Sequence, residues 1–114
     1  MTFKYDQVRS QMVVDIACMA FAAERYRVIN RHRDTHVEKA RFAAYYLLRH
    51  EMGLSFPNVG HAVGGRDHTT AMHGVKRAKE MMRTTPGFLR RLQAAWEATK
   101  QLPDHTERVA RPRR

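Results

Sequence analysis

Residues 53–70 read Gly53-Leu54-Ser55-Phe56-Pro57-Asn58-Val59-Gly60-His61-Ala62-Val63-Gly64-Gly65-Arg66-Asp67-His68-Thr69-Thr70. Two helices and a tight turn are legible in them. Ser55 can cap a short first helix, Pro57 falls in its first turn, where a missing backbone N–H costs little, and Val59, Ala62 and Val63 are its apolar positions. Gly64-Gly65 stops that helix. Asp67 can cap a second one, along which Ala71, Val75, Ala78 and Met82 fall at i, i+4, i+7 and i+11. A short helix, a turn without bulky Cβ atoms and a second helix make the helix-turn-helix pattern, here over about 55–83. In that pattern the second helix presents its N-terminal side chains to base edges. Here those are Arg66, Asp67, His68, Thr69 and Thr70, all able to make polar contacts, and the threonine methyls suit thymine.

Upstream, the first glycine is Gly53 and the first proline Pro57, so the opening 52 residues hold neither of the strongest helix breakers. Val8, Met12, Ile16, Met19 and Ala23 recur at helical spacing and are expected to form the buried face of a first helix. The basic stretch from Arg25 to Asp34 has no sustained apolar period and reads as a turn of helix followed by a loop. Thr35-His36-Val37-Glu38 has the form of a capping box, which starts a helix running to about Met52 with Ala40, Ala43, Ala44, Leu47 and Leu48 inward; Gly53 ends it in a left-handed cap. Downstream, Thr84-Thr85-Pro86-Gly87 breaks the chain before a last amphipathic helix carrying Phe88, Leu89, Leu92, Ala95 and Trp96. No strand alternation is visible. The expectation is an all-α fold, one helical domain over 1–103 and a flexible basic tail over 104–114.

The composition narrows the function. The chain has 114 residues, 21 Lys and Arg against 11 Asp and Glu, and a net charge of +10, which points first to a polyanionic partner. Its one cysteine, Cys18, excludes an internal disulfide and a multi-cysteine zinc site and reads as a small core residue. The seven histidines show no ligand spacing such as H-E-x-x-H, so no metal is expected. No run approaches the ~20 apolar residues of a membrane span, and Asp15 interrupts the most apolar part of the N-terminus, so the cytoplasm, at the nucleoid, is the expected compartment. No phosphate-cradling G-x-x-x-x-G-K-[ST] loop is present, and no nucleophile–base pair or carboxylate pair is assignable; neither an enzyme nor a cofactor or small-molecule substrate is expected.

Gly64-Gly65-Arg66-Asp67-His68-Thr69-Thr70-Ala71-Met72-His73 resembles the signature of the C-terminal DNA-binding domain of the bacterial chromosomal replication initiator DnaA. Ala40 to Arg49 resembles that family's long helix, Gly53 to Gly60 its first helix-turn-helix helix, and Arg25 to Arg33 stands where the family has a basic loop. The resemblance implies a compact, Trp-repressor-like helical bundle that reads a short asymmetric duplex element, the DnaA box. It implies base contacts from Asp67, His68, Thr69 and Thr70, and from Arg33 inserted into the adjacent minor groove. Backbone contacts fall to Arg31, Arg41, Arg49, Phe56, Pro57, Arg66 and Lys76. Ala40-Arg41-Phe42 departs from the family's Pro-Arg-Gln, Phe56 replaces a common leucine, and Asn58 and His61 sit where acidic residues are frequent; these departures touch phosphate clamping more than base reading.

The family's ATPase module has no counterpart in the chain. Met1 and a basic tail unlike the family's favour a free-standing reader that regulates transcription or replication, or that competes with or binds the initiator machinery. The alternative is a helical protein-interaction module docking an acidic regulatory or replication partner, with only non-specific DNA affinity. The intact Arg66-to-Thr70 segment argues against it.

Overall fold

Helix α3, Thr35–His50, is the spine of the molecule. Its inward stripe is built from Val37, Ala40, Ala43, Ala44, Leu47 and Leu48, all essentially without solvent exposure, and the three alanines let neighbouring helices approach closely. In a computed structural model describing residues 7–103, α1 (Gln7–Ala20) and α5 (His68–Thr84) pack against this spine. The short α2 (Arg25–Ile29) and α4 (Phe56–Ala62) flank it, and α6 (Phe88–Lys100) closes the bundle against α1. The fold is all-α, as expected. The expected tail, Asp104 to Arg114, lies outside the described residues. No helix of the described residues is long and apolar enough to cross a membrane.

The break signals fall where the sequence puts them. Gly53 has φ +71° after α3, and Gly87 has φ +85° before α6. Three expectations are corrected. The α3 cap is not a capping box: Asp34 is the N-cap residue and no side chain bonds the helix start, because Asp34 accepts from Arg27 at 3.1 Å and Glu38 pairs with Arg33 at 3.7 Å. The helix also ends at His50, short of Met52.

The second correction concerns α1, which carries two apolar stripes. The buried one is Val13, Val14, Ala17 and Cys18 with Ser10, continued by Phe21. Of the expected face, Val8, Met12 and Met19 are 47%, 39% and 79% exposed, and Ile16 and Ala23 only edge the core. The small, short-branched stripe fits against the alanine-lined spine, whereas long methionines would hold the helices apart. Cys18 is buried as expected, and burial pushes its thiol pKa up to about 11.

In α5 and α6 the periodic reading holds for Ala71, Val75, Ala78, Phe88, Leu92 and Ala95, all buried. The third correction is here: Met81 is the buried methionine and Met82 half-buried, while Leu89 and Trp96 are each 42% exposed. Side-chain ties lock the ends of α1: Arg9 Nη2 donates to the Thr99 carbonyl (3.3 Å), Arg91 Nη1 to the Ala20 carbonyl (2.9 Å) and Gln11 Nε2 to the Ala62 carbonyl (3.0 Å). The Phe21 and Phe88 rings meet in a tilted contact, 5.2 Å between centroids.

The crossing of α3 and α5 depends on Gly74. A Cβ there would lie 2.0 Å from Cδ2 of Tyr45, whose ring fills the space. Gly74→Ala is therefore expected to destabilise the fold by about 1–3 kcal/mol, the usual cost of overpacking a core, despite alanine's better helix propensity. Equilibrium urea unfolding checks the sign; a variant as stable as the parent would show that the crossing can open without cost.

Candidate nucleic-acid interface

The helix-turn-helix is assembled by local bonds. Ser55 Oγ accepts from the Asn58 amide at 3.3 Å and starts α4, with Pro57 in the first turn. At the other end the Arg66 amide donates to the Gly60 carbonyl at 2.8 Å, which folds the turn back over α4. That approach needs glycine: a Cβ on Gly60 would sit 2.2 Å from the Arg66 carbonyl oxygen. Gly64, at φ +83°, is required twice, because its Cβ would also lie 2.1 Å from the Ile29 carbonyl oxygen. Asp67 then caps α5, its Oδ1 accepting from the Thr70 amide at 2.9 Å. That backbone bond, followed by the Thr70 hydroxyl, holds the Asp67 carboxyl below the usual carboxylate range. His68, Thr69 and Thr70 stand exposed at the amino end of a 17-residue helix, where unpaired N–H groups and the helix dipole favour anions.

The basic loop after α2 is fastened to this helix end by two arginines. Arg41, expected as a phosphate contact, is turned inward instead. It is 7% exposed, and its guanidinium donates to the carbonyls of Val28 (2.9 Å), Arg27 (3.0 Å), Asn30 (2.9 Å) and His32 (2.8 Å). Position 41 lies in register with Val37, Ala44 and Leu48 on the buried stripe of α3, a spacing that pointed inward in the sequence itself. Burial, then the nearby Arg66 charge, lowers its pKa, but a guanidinium stays charged. Arg66, half-buried, donates to the carbonyls of Val63 (3.0 Å), Ile29 (3.4 Å) and Asn30 (2.7 Å). The Asn30 carbonyl thus accepts from both arginines. With the loop held from below, Arg31 and Arg33 remain exposed; the Arg33 side chain is 84% exposed and pairs with the Glu38 carboxylate at 3.7 Å.

The remaining expected contacts sit around the first helix. Arg49 donates to the Leu54 carbonyl at 2.9 Å, and its guanidinium lies 4.1 Å above the centre of the Phe56 ring. The aromatic residue at position 56 therefore orients the arginine. Pro57 and Lys76 are exposed. Sequence reasoning missed the face joining the loop to α5, where Phe42, Tyr45, His73 and Arg77 meet Arg31, Arg33 and Arg66 around one groove. Arg77 lies 5.7 Å from the Phe42 ring centre and pairs with Glu80 at 2.7 Å. The groove brings Thr70 together with Arg31 and Arg33, residues nearly forty positions apart in the chain.

Comparison with known proteins agrees with this architecture. The family model described as the bacterial dnaA protein helix-turn-helix matches residues 10–78, from α1 into α5. A chromosomal replication initiator protein DnaA from a Synechococcus strain is 31% identical over 87 residues, covering 76% of this chain and 19% of the relative. The protein of the same name from Thermomicrobium roseum is 35% identical over 79 residues, covering 69% of this chain and 17% of the relative. That from Chloroflexus aggregans is 33% identical over 78 residues, with 68% and 16% covered. The chain thus spans a fifth or less of the length of the curated relatives it matches.

Two predictions separate the arginines and test the cap. Arg41→Met is expected to lower stability by about 2–4 kcal/mol, because several inward carbonyls lose their donor, whereas Arg33→Met leaves the unfolding midpoint unchanged. Denaturant titration of both variants compares them; an Arg41→Met protein as stable as the parent would mean that the loop holds itself. For Asp67, a depressed folded-state pKa means its contribution is present above the unfolded value and lost as pH falls through the folded one. The Thr70 amide should therefore stay protected from hydrogen exchange as pH falls through the ordinary carboxylate range and lose protection only below it. In Asp67→Asn, whose amide oxygen still accepts, this acid step should vanish.

Proposed function

The chain belongs to the bacterial DnaA helix-turn-helix family, and on that premise we propose that it is a sequence-specific reader of duplex DNA, recognising a DnaA-box-like element. The amino end of α5 enters the major groove, where His68 donates to a purine acceptor, the Thr69 and Thr70 methyls meet thymine, and the Asp67 oxygen not engaged in the cap accepts from a cytosine amino group. The loop inserts Arg33 into the adjacent minor groove. Arg31, Arg49, Phe56, Pro57 and Lys76 set the register on phosphates. Arg41 and Arg66 act as positioning residues, since their guanidinium groups hold the loop at a constant offset from the helix.

One observation carries this reading: Thr70, at the capped start of α5 beside exposed His68 and Thr69, lines one groove with exposed Arg31 and Arg33 of the fastened loop. A site for an acidic protein would need the positive charge but not the ordered run from Arg66 to Thr70. Such a reader, occupying its element in the cell, is a transcription or replication regulator and competes with initiator molecules for the same sites. The described domain and residues 104–114 together carry the excess positive charge, and the tail supplies non-specific attraction to duplexes.

Selection from a random duplex pool is expected to return a short asymmetric consensus. On the winning duplex His68→Ala should lose about 1–3 kcal/mol of binding free energy, while affinity for random duplex changes less than about twofold. Arg33→Ala should lose affinity on the consensus and make the salt dependence shallower by about one phosphate-equivalent. Equal losses on consensus and random duplex, or an enriched pool lacking a consensus, would refute direct base reading.

A further inference from the structure

Any protein that reads a major groove and the neighbouring minor groove straddles the sugar–phosphate strand between them, so the surface between its two reading elements faces phosphate. Here that surface is a groove of about 410 Å³ between the basic loop and α5. Arg31, Arg33, Arg66 and Arg77 line it against the single carboxylate of Glu38. The ring of Tyr45 is at its floor, 1% exposed and wedged against Gly74. The Tyr45 hydroxyl is buried and has no hydrogen-bond partner. Tyrosine hydroxyls buried in proteins normally find one, and leaving one without costs free energy that a phenylalanine of the same shape would avoid. A donor kept there, beneath several cations, is complementary to an anion with several oxygens.

We propose that this groove is a phosphate-binding site in which the Tyr45 hydroxyl is the floor donor and Arg31 and Arg77 close over the anion from the rim. Arg41 and Arg66 lie beneath and beside it with their N–H groups engaged on carbonyls, so they supply charge while the hydroxyl supplies direction. Burial raises the Tyr45 pKa, which keeps the proton on the hydroxyl and available for donation. The site rests on the duplex-reading proposal only for the source of its phosphate, the strand between the grooves; a free phosphate group meets the same chemistry.

The test is Tyr45→Phe, which keeps the ring against Gly74 and removes one oxygen. Because that oxygen is unpartnered in the free chain, the variant should melt at or above the parent's temperature in chloride. At matched ionic strength, inorganic phosphate should raise the parent's melting temperature and leave the variant's nearly unmoved. Affinity for the selected duplex should fall about tenfold, the loss expected when a hydrogen bond to a charged oxygen is removed. Phosphate stabilisation that needs Tyr45, with duplex affinity unchanged, supports the site with free phosphate as its ligand. The same stabilisation in a chain that binds no duplex supports the site while the duplex-reading proposal falls. Equal phosphate effects in parent and variant overturn it, as does a variant that melts well below the parent in chloride, which would make the hydroxyl structural.

Discussion

The carbonyl of Asn30 accepts hydrogen bonds from two guanidinium groups, one reaching from Arg41 on α3 and one from Arg66 at the start of α5. Nearly everything on the functional side of the molecule follows from that junction. An irregular basic loop would otherwise sample many conformations, with like charges pushing it outward. Turning two arginines inward onto its carbonyls satisfies backbone acceptors that no regular structure pairs, and fixes how far Arg31 and Arg33 stand from the α5 amino end. The two inward-turned cations, Arg41 buried and Arg66 half-buried, repel one another, and the converging carbonyl dipoles offset that repulsion. Positive charge in this domain thus has two separate uses, one facing carbonyls and one facing outward.

Glycine makes the junction possible. Gly64 lets the Ile29 carbonyl approach the turn so that the Arg66 side chain can span to the loop, Gly60 lets the turn fold back on α4, and Gly74 admits the Tyr45 ring between α3 and α5. Each is a place where a methyl group would stand where a neighbour's atoms already are. The helix-turn-helix is consequently a tightly stacked unit rather than two helices on a flexible link, which suits a surface whose contacts depend on a constant offset.

The outward face carries an electrostatic contrast. Asp67 is a carboxylate at the helix start, committed through one oxygen to the Thr70 amide and flanked by exposed His68 and Thr69. It stabilises the helix end through the dipole and leaves an acceptor at the surface. Phe56 beneath Arg49 shows the same economy of parts: an aromatic ring in place of an aliphatic side chain orients a charge.

The amino-acid sequence alone determined the features governed by local chemistry. The all-α class, the Ser55 and Asp67 caps, the glycine breaks at 53, 64, 65 and 87, and the alanine stripe of α3 each depend on residues within a turn or two of one another. Family membership was legible for the same reason, since a run such as Arg66 to Thr70 keeps its meaning without its surroundings. Tertiary structure decided the rest. Which stripe of α1 is buried could not be read from periodicity, because both stripes are apolar and only the shape of α3 chooses between them. The inward register of Arg41 was legible in the spacing of α3, but its partners, carbonyls some ten residues earlier in the chain, were not, and the groove over Tyr45 depends on a loop and a helix that meet only in the folded state. An arginine's role is set by the acceptor within its reach, and that acceptor is a property of three dimensions.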